Sequence, residues 1–194
     1  MFLINPYIFV QSSYVPPTGS TYVLVQQNLR NDDLAQFTTN NYQYVGSSFT
    51  ASATYDVRRI RVDMCKTGSP VTVLNQLILT NNPSTGLPDV GLWESETFIS
   101  ASSVTTINPT TSSYNFDYPA GCTLTSGSIY HIVTYADLNR HPAAIGTLTP
   151  PNTLYVGIGY ADSPGQKLSR DTDGSGFTLI YNNTAMHFKS YKIE

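Results

Sequence analysis

The stretch Tyr55 to Pro70, YDVRRIRVDMCKTGSP, decides the fold class. Its apolar residues from position 60 onward alternate with Arg and Asp, which is the period of a strand with one buried face and one wet face. The stretch then ends in the turn residues TGSP. The same alternation returns in YNFDY, from Tyr114 to Tyr118, and the run from Ile129 to Tyr135 predicts a strand buried on both faces. These patterns predict an all-β protein.

The rest of the chain continues in the same way. Strands are predicted over Val71 to Thr80, Leu154 to Tyr160, Phe177 to Tyr181 and Met186 to Ile193, with turn signals about every ten to fifteen residues, as in a β-sandwich. One helical turn is predicted at Leu34 to Phe37. Six residues are predicted to point into one core between two sheets: Ile60, Val62, Met64, Phe116, Tyr130 and Ile132.

The order of these signals resembles a jelly-roll-type β-sandwich module of bacteriophage virion and tail proteins and of bacterial surface proteins. The resemblance covers roughly residues 35 to 160. It is carried by Gly68, Ser69, Pro70, Leu87, Pro88, Leu124, Gly127 and Tyr130. It implies a jelly-roll-like antiparallel β-sandwich. Because these residues mark turns and core positions, the resemblance bears on fold more than on function.

The composition limits the possible partners. A chain of 194 residues suits one sandwich domain, predicted over residues 21–194, with residues 1–20 as an N-terminal arm or first strand. Only 12% of the residues are charged and the net charge is −3, so the surface is made of hydroxyls, amides and phenols. Such a surface suits packing against neighbouring proteins or sugars. It predicts no nucleic-acid partner.

The N-terminal segment is unusually apolar. Met1 to Val10 contains no charge, so we expect it to dock either as a strand of its own sheet or as an assembly arm on another chain. It lacks a basic region and a cleavage site and is too short to span a bilayer, so no signal peptide and no membrane contact are predicted. The residues predicted to form the arm are Phe2, Leu3, Ile4, Tyr7, Ile8 and Phe9.

The cysteines and the catalytic residue types give little chemistry. Cys65 and Cys122 predict two buried thiols, with a disulfide between them as the alternative. The nucleophile, zinc and nucleotide motifs are absent from the sequence. Glu94 and Glu96 would share a face of a strand, but a glycosidase needs carboxyl groups that oppose each other across a cleft.

The three histidines also favour structure over catalysis. His131 lies within a strand pattern, where a core or inter-strand hydrogen-bonded histidine is the common case. His141 precedes a proline in a loop, and His187 is predicted to lie in the last strand. No catalytic triad can be assembled from these positions, and we expect the protein not to be an enzyme.

Two polar loops are the candidate recognition sites, Asn81 to Gly86 and Ala161 to Gly176. Asp171 and Asp173 have the spacing that begins a calcium loop, but the later ligands are missing, and a solvated turn is the alternative. No other cofactor is predicted. The residues proposed for recognition are Asn81, Asn82, Ser84, Thr85, Asp162, Lys167 and Arg170.

The resemblance, together with the low charge and the apolar arm, predicts a structural component of a bacteriophage virion, as capsid decoration or in the tail. Its partners would be other virion proteins and copies of itself, and it would be made in the host cytoplasm. The alternative is a carbohydrate- or receptor-binding module for host attachment, which predicts aromatic side chains exposed on one sheet or at the loop ends. A glycan-cleaving enzyme would instead need a deep cleft with opposed carboxylates.

Overall fold

The structure is a computed structural model that describes residues 19–28, 33–37, 44–70, 73–106, 111–136, 153–160, 167–171, 176–182 and 184–194. For residues 33–37, 153, 157–160, 167–171 and 180–182 it describes the backbone alone. The predicted arm, Met1 to Val10, lies outside these residues. The only helical element among them is a single 3-10 turn, Ala101–Ser103.

The described residues form sixteen strands. In chain order they are β1 Tyr22–Asn28, β2 Asp33–Phe37, β3 Tyr44–Thr50, β4 Tyr55–Asp56, β5 Arg59–Thr67, β6 Val73–Asn81, β7 Pro88–Glu94, β8 Ile99–Ser100, β9 Ser112–Asp117, β10 Thr123–Leu124, β11 Ile129–Ala136, β12 Thr153–Tyr160, β13 Lys167–Asp171, β14 Thr178–Asn182, β15 Thr184–Met186 and β16 Phe188–Ile193.

The strands build two main sheets, here called sheet A and sheet B. Sheet A has the order β1-β16-β5-β12-β15, with β9 on the other side of β5 and β2 paired to β12. Sheet B has the order β14-β13-β3-β11-β6-β7, with β8 also paired to β6. Strands β4 and β10 form a separate short pair. Every pairing between two of these sixteen strands is antiparallel, and one isolated parallel bridge joins Lys66 of β5 to Thr106.

The chain passes repeatedly from one sheet to the other. It goes from β3 in sheet B to β5 in sheet A, then back to β6, and it crosses again between β9 and β11 and between β11 and β12. Both sheets contribute to one buried core, so the protein is a single all-β domain with the sandwich architecture that the sequence predicts.

The core lies between the inner faces of the two sheets. All six predicted core residues belong to it, and the most exposed of them, Tyr130, is only 8% accessible. Phe49 of sheet B and Phe188 of sheet A meet across the core with ring centroids 5.2 Å apart. Burial of each large apolar side chain contributes about 1.5 to 3 kcal/mol. The strand register predicted around Ile60 and Phe116 is therefore confirmed.

Two local predictions are wrong. Residues 34–37, predicted as a helical turn, belong to β2 and pair with β12. Lys167 to Asp171, predicted as part of a long loop, is β13, which is hydrogen-bonded to β3 on one side and to β14 on the other. Both segments are short, so local propensity carries little information, and partners distant in the sequence decide their conformation.

The two cysteines are free and buried, as the first of the two sequence interpretations expects. Burial raises the pKa of the Cys122 thiol to about 12, although the nearby positive charge of Arg58 acts in the opposite direction. Burial also raises the pKa of Cys65. Both thiols stay protonated at neutral pH, which makes them poor nucleophiles and poor metal ligands.

Candidate functional site

The outermost strands carry exposed apolar side chains. Within the described residues, β1, β7 and β14 each have a neighbouring strand on one side only. Each carries one large exposed apolar residue: Leu24 in β1 is 44% accessible, Val90 in β7 is 60% and Leu179 in β14 is 43%. A strand edge offers unpaired backbone groups, and an apolar side chain beside them adds a surface that another chain can cover.

Each of these edges is also irregular. The register shifts between Leu24 and Gln26 in β1, twice along the pairing of β6 with β7, and once along the pairing of β13 with β14. Between β6 and β7, a side chain replaces a backbone acceptor, because the Val90 N–H of β7 donates to the hydroxyl of Thr80 on β6 over 3.1 Å. Such bulges bend an edge and prevent the continuous strand pairing that produces fibres. The edges are therefore suited to limited contacts.

The outer face of sheet A is polar and aromatic. Arg59 makes two hydrogen bonds to Asp117 on β9, from Nε over 2.5 Å and from an Nη over 2.9 Å. Its guanidinium also lies 3.8 Å from the centre of the Tyr22 ring. This row of the face is electrically neutral and held in place by a bidentate ion pair and a cation–π contact.

The next row of the same face brings two cations together. Arg61 on β5 is directly opposite Lys189 on β16 and directly opposite Asn115 on β9. Arg61 Nε donates to Asn115 Oδ1 over 3.0 Å, and its guanidinium lies 5.8 Å from the Tyr191 ring. Like charges placed directly opposite each other on adjacent strands are destabilising. No carboxylate contacts Arg61 or Lys189 within the described part of the chain.

A third row contains serine, aspartate and histidine together. Asp63 on β5 accepts a hydrogen bond of 2.6 Å from the hydroxyl of Ser113, and its other oxygen lies 2.5 Å from Nδ1 of His187. In a hydrolytic triad the histidine lies between the serine and the aspartate and takes the serine proton. Here the aspartate lies in the middle, so this arrangement does not activate Ser113. The three side chains connect β5 and β9 with the corner between β15 and β16, where His187 separates β15 from β16.

The environment of Asp63 shifts its ionisation. Burial by itself would raise the pKa of the carboxyl, but the hydrogen bonds from His187 and Ser113, with the attraction of His187, outweigh it and hold the pKa below the ordinary value. The carboxylate is therefore charged at neutral pH. It stabilises this corner of sheet A as an acceptor for three side chains, those of Ser113, His187 and, at 3.5 Å, Thr111.

The outer face of sheet B is largely buried. Val133 and His131 of β11 are fully buried although they alternate with the core residues Ile132 and Thr134. His131 Nε2 lies 3.0 Å from the side-chain oxygen of Asn81 on β6, which confirms the prediction of an inter-strand hydrogen-bonded histidine. The prediction that this strand is buried on both faces is also confirmed.

A carboxylate-centred cluster holds the end of this face. Glu94 accepts hydrogen bonds from the Tyr135 hydroxyl over 2.5 Å and from the side-chain amide of Asn75. The Tyr135 ring stacks on Tyr44 with centroids 5.2 Å apart and an angle of 15° between the rings, and Phe177 packs edge-on against Tyr44. Because the aromatic surfaces contact one another, the cluster chiefly joins β3, β6, β7 and β11.

The two glutamates do not share a strand face. Strand β7 ends at Glu94, and Glu96 lies beyond it, with its backbone N–H donating to the Asp117 carbonyl over 2.7 Å. The premise of the glycosidase interpretation, two carboxylates side by side on one strand, is therefore not met. Sequence spacing suggested a pair because the end of β7 was not predicted.

One hollow of about 400 Å³ lies at an end of the sandwich, beside β1, β4 and β16. Tyr55 lines it and shares a 2.7 Å hydrogen bond with Ser190. At its rim Lys192 pairs with Glu194 over 2.5 Å, and Asp56 accepts a hydrogen bond from the Thr123 hydroxyl. Lys192 and Glu194 thus bind each other at this rim, and so do Asp56 and Thr123, while Arg58 also lines the hollow.

The first predicted recognition loop is a well-formed turn. The Asn82 side-chain oxygen accepts hydrogen bonds from the backbone of Ser84 over 2.9 Å and of Thr85 over 3.3 Å, and Gly86 adopts a positive φ of 67°. Asn81 is the last residue of β6 and is engaged by His131. Of the four predicted residues, Ser84 and Thr85 face the solvent.

The second predicted loop falls partly in a strand. Lys167, Arg170 and Asp171 belong to β13, so their assignment to a loop is corrected by the pairing of that strand with β3 and β14. Asp162 and Asp173 lie outside the described residues. Among the side chains that the structure describes, no group of three His, Cys, Asp or Glu residues is placed to hold a metal ion.

The chain has no match among protein-family models and no significant match among curated proteins. In the described segments, no helix has the length and hydropathy needed to cross a membrane. The rows of sheet A and the edge strands were not found from the sequence, because they join side chains from strands that are far apart along the chain.

Proposed function

We propose that the protein is a non-enzymatic structural component of a bacteriophage particle, on the capsid surface or in the tail, that acts through contacts with copies of itself and with other virion proteins. The phage context comes from the resemblance of the turn and core residues to virion and tail modules. The observation that carries the assembly role is the exposed apolar residue on each of β1, β7 and β14.

The geometry of the edges supports a particular kind of assembly. Their bulges interrupt the backbone ladder, so a partner gains side-chain burial more readily than a long added strand. Contacts of that type are compatible with a closed particle, in which each subunit meets a fixed number of neighbours.

The experiment compares substitutions of exposed apolar residues. Val90→Lys and Leu179→Lys place a charge on an edge strand, while Ile129→Lys does so on β11, an inner strand, at an exposure of 45%, which matches the 43% of Leu179. Particles made with each variant are purified, and the copy number of the chain is measured by mass spectrometry and electron microscopy. Circular dichroism of the free chain checks that each variant is folded.

We expect the edge variants to be incorporated at least tenfold less than the wild-type chain, and Ile129→Lys at the wild-type level. Equal incorporation of all three variants would contradict the role of the edges. Absence of the wild-type chain from intact particles would contradict the virion role itself.

A second candidate function is host attachment by binding of a surface saccharide. The observation that favours it is the outer face of sheet A, where Tyr191 and Asn115 lie beside the cations Arg61 and Lys189, which contact no carboxylate among the described residues. The test is whether the isolated folded chain binds saccharides at all, measured by NMR titration, and an isolated chain that binds none would leave assembly as the function.

A further inference from the structure

We propose that Arg61, Lys189 and Asn115 form a binding site for one carboxylate group of an acidic saccharide. This inference rests on the second candidate function, host attachment, and gives it a site and a ligand chemistry. It does not depend on the edge strands.

Two positive charges lie side by side at this site. Arg61 and Lys189 are cross-strand partners on β5 and β16, so their Cβ atoms are about 4.5 to 5.5 Å apart. In a chain with a net charge of −3, two adjacent cations that contact no carboxylate in the described part of the structure are a local exception. An anion bound between them would turn this repulsion into attraction.

The site also offers several hydrogen-bond donors. Arg61 uses Nε to bind Asn115 Oδ1, which leaves both Nη groups of the guanidinium outside that bond. The same bond directs the Asn115 side chain so that its Nδ2 group remains as a further donor. Lys189 adds an ammonium on the other side. Together these groups match the two oxygens of a carboxylate.

The neighbouring carboxylates limit the ligand to an isolated negative charge. Asp63 is two residues from Arg61 along β5, and Asp117 is two residues from Asn115 along β9, each about 7 Å away on the same face. These carboxylates lie on opposite sides of the cation row. Arg59 neutralises Asp117, but the carboxylate of Asp63 would repel a polymer that carries a negative charge at every unit, so the site suits a single one.

The surroundings favour a saccharide over other anionic macromolecules. Nucleic acid binds by neutralising several phosphates, and anionic membranes attract clusters of about four to eight basic residues, whereas this site offers two. The face carries hydroxyl, amide and phenol groups around the cations. Among the described residues of this face, Leu24 is the exposed large aliphatic one. A protein interface would need a larger apolar centre.

The test uses the full chain and three polysaccharide probes. Hyaluronate oligosaccharides carry a carboxylate on alternate sugars, polygalacturonate oligosaccharides carry one on every sugar, and dextran carries none. Binding is measured by NMR titration at low salt, with the backbone spectrum as the check of folding. Lys189→Gln and Arg61→Gln remove one charge each, and Lys192→Gln is the matched control because its ammonium pairs with Glu194.

We expect hyaluronate to bind, dextran to bind at least tenfold more weakly, and polygalacturonate to bind more weakly than hyaluronate. Each of Lys189→Gln and Arg61→Gln should lower the affinity for hyaluronate about tenfold, which corresponds to one lost charged hydrogen bond. Lys192→Gln should leave it unchanged, and added salt should weaken it.

Several results would overturn the inference. They are unchanged binding by Lys189→Gln and Arg61→Gln, or tighter binding of polygalacturonate, single-stranded DNA or a glutamate-rich peptide than of hyaluronate. Equal binding of dextran and hyaluronate would remove the carboxylate site but leave host attachment standing. If no saccharide binds, the carboxylate site and host attachment are both contradicted. The edge-strand experiment still decides the assembly role.

Discussion

The outer faces of the two sheets differ in composition and in exposure. The central strands of sheet B, β3, β6 and β11, contain no Asp, Glu, Lys or Arg, whereas β5, β9 and β16 of sheet A contain four, one and two such residues, seven in total. Val133 on the outer face of sheet B is fully buried, while Arg61 and Lys189 on the outer face of sheet A are partly exposed. One fold thus holds one sheet that is buried on both faces and one that offers a charged surface.

The difference shows how a chain with few charges uses them. A charge is costly to bury unless it is paired, so the strands that are buried on both faces do without charged residues. The charges of these strands are concentrated on one face, where Arg59 and Asp63 have partners, while Arg61 and Lys189 meet no carboxylate among the residues described. That face is therefore where recognition of an anion is possible.

The largest effect expected is on the core that both sheets share. Phe116→Ala should lower the free energy of unfolding by about 3 to 5 kcal/mol, and Ile60→Ala by about 2 to 5, because both side chains are fully buried. Arg61→Ala, on the outer face, should change it by about 0.5 kcal/mol or less. Urea unfolding measures all three, and a reversed ranking would mean that β5 is assigned to the wrong register.

The next effect compares the two outer faces directly. Val133→Ala should cost about 2 kcal/mol, since two buried methyl groups are lost and a cavity remains. Leu24→Ala deletes an even larger part of a side chain on the outer face of sheet A, yet it should cost about 0.5 kcal/mol or less because Leu24 is exposed. Similar costs for the two variants would contradict the assignment of one covered face and one open face.

A pH experiment tests the ion network of sheet A. The pKa of Asp63 is lower in the folded protein than its ordinary value of 3.8, so its contribution to stability is present above that value and is lost as the pH falls through the folded pKa. Asp63→Asn should cost about 1.5 kcal/mol at neutral pH and should flatten the decline of stability below about pH 4.

The control for this experiment is Asp89→Asn, which alters an exposed carboxylate on β7. Thermal unfolding from pH 2 to pH 7 should show the wild-type decline in this variant. If stability declines at low pH in Asp63→Asn as steeply as in the wild type, the carboxylate between Ser113 and His187 does not stabilise the corner.

The smallest effect concerns the one carboxylate cluster described on sheet B. Tyr135→Phe keeps the ring that stacks on Tyr44 and removes the hydroxyl that donates to Glu94, so we expect a loss of about 1 kcal/mol. A double-mutant cycle with Glu94→Gln should give a coupling energy of similar size. Zero coupling would mean that the cluster is held by ring stacking and by Asn75 alone.

The sequence by itself determined the fold class and much of the core. Alternation in β5 and β9 predicted which side chains of these strands are buried, because the inward and outward faces of a strand are set by a period of two that is visible locally. The exclusion of charge from β11 likewise predicted a strand buried on both faces. These properties depend on neighbouring residues along the chain, so no knowledge of distant partners was needed.

Tertiary structure alone decided which strands are neighbours, and with that the candidate sites. Residues 34–37 and Lys167 to Asp171 became strands because distant strands supply their hydrogen bonds. Arg61 and Lys189 are 128 positions apart in the sequence, and only the pairing of β5 with β16 places them opposite each other. Cross-strand contacts are set by register between segments remote in sequence, and that register is fixed by the burial of the whole sheet face, which no local pattern contains.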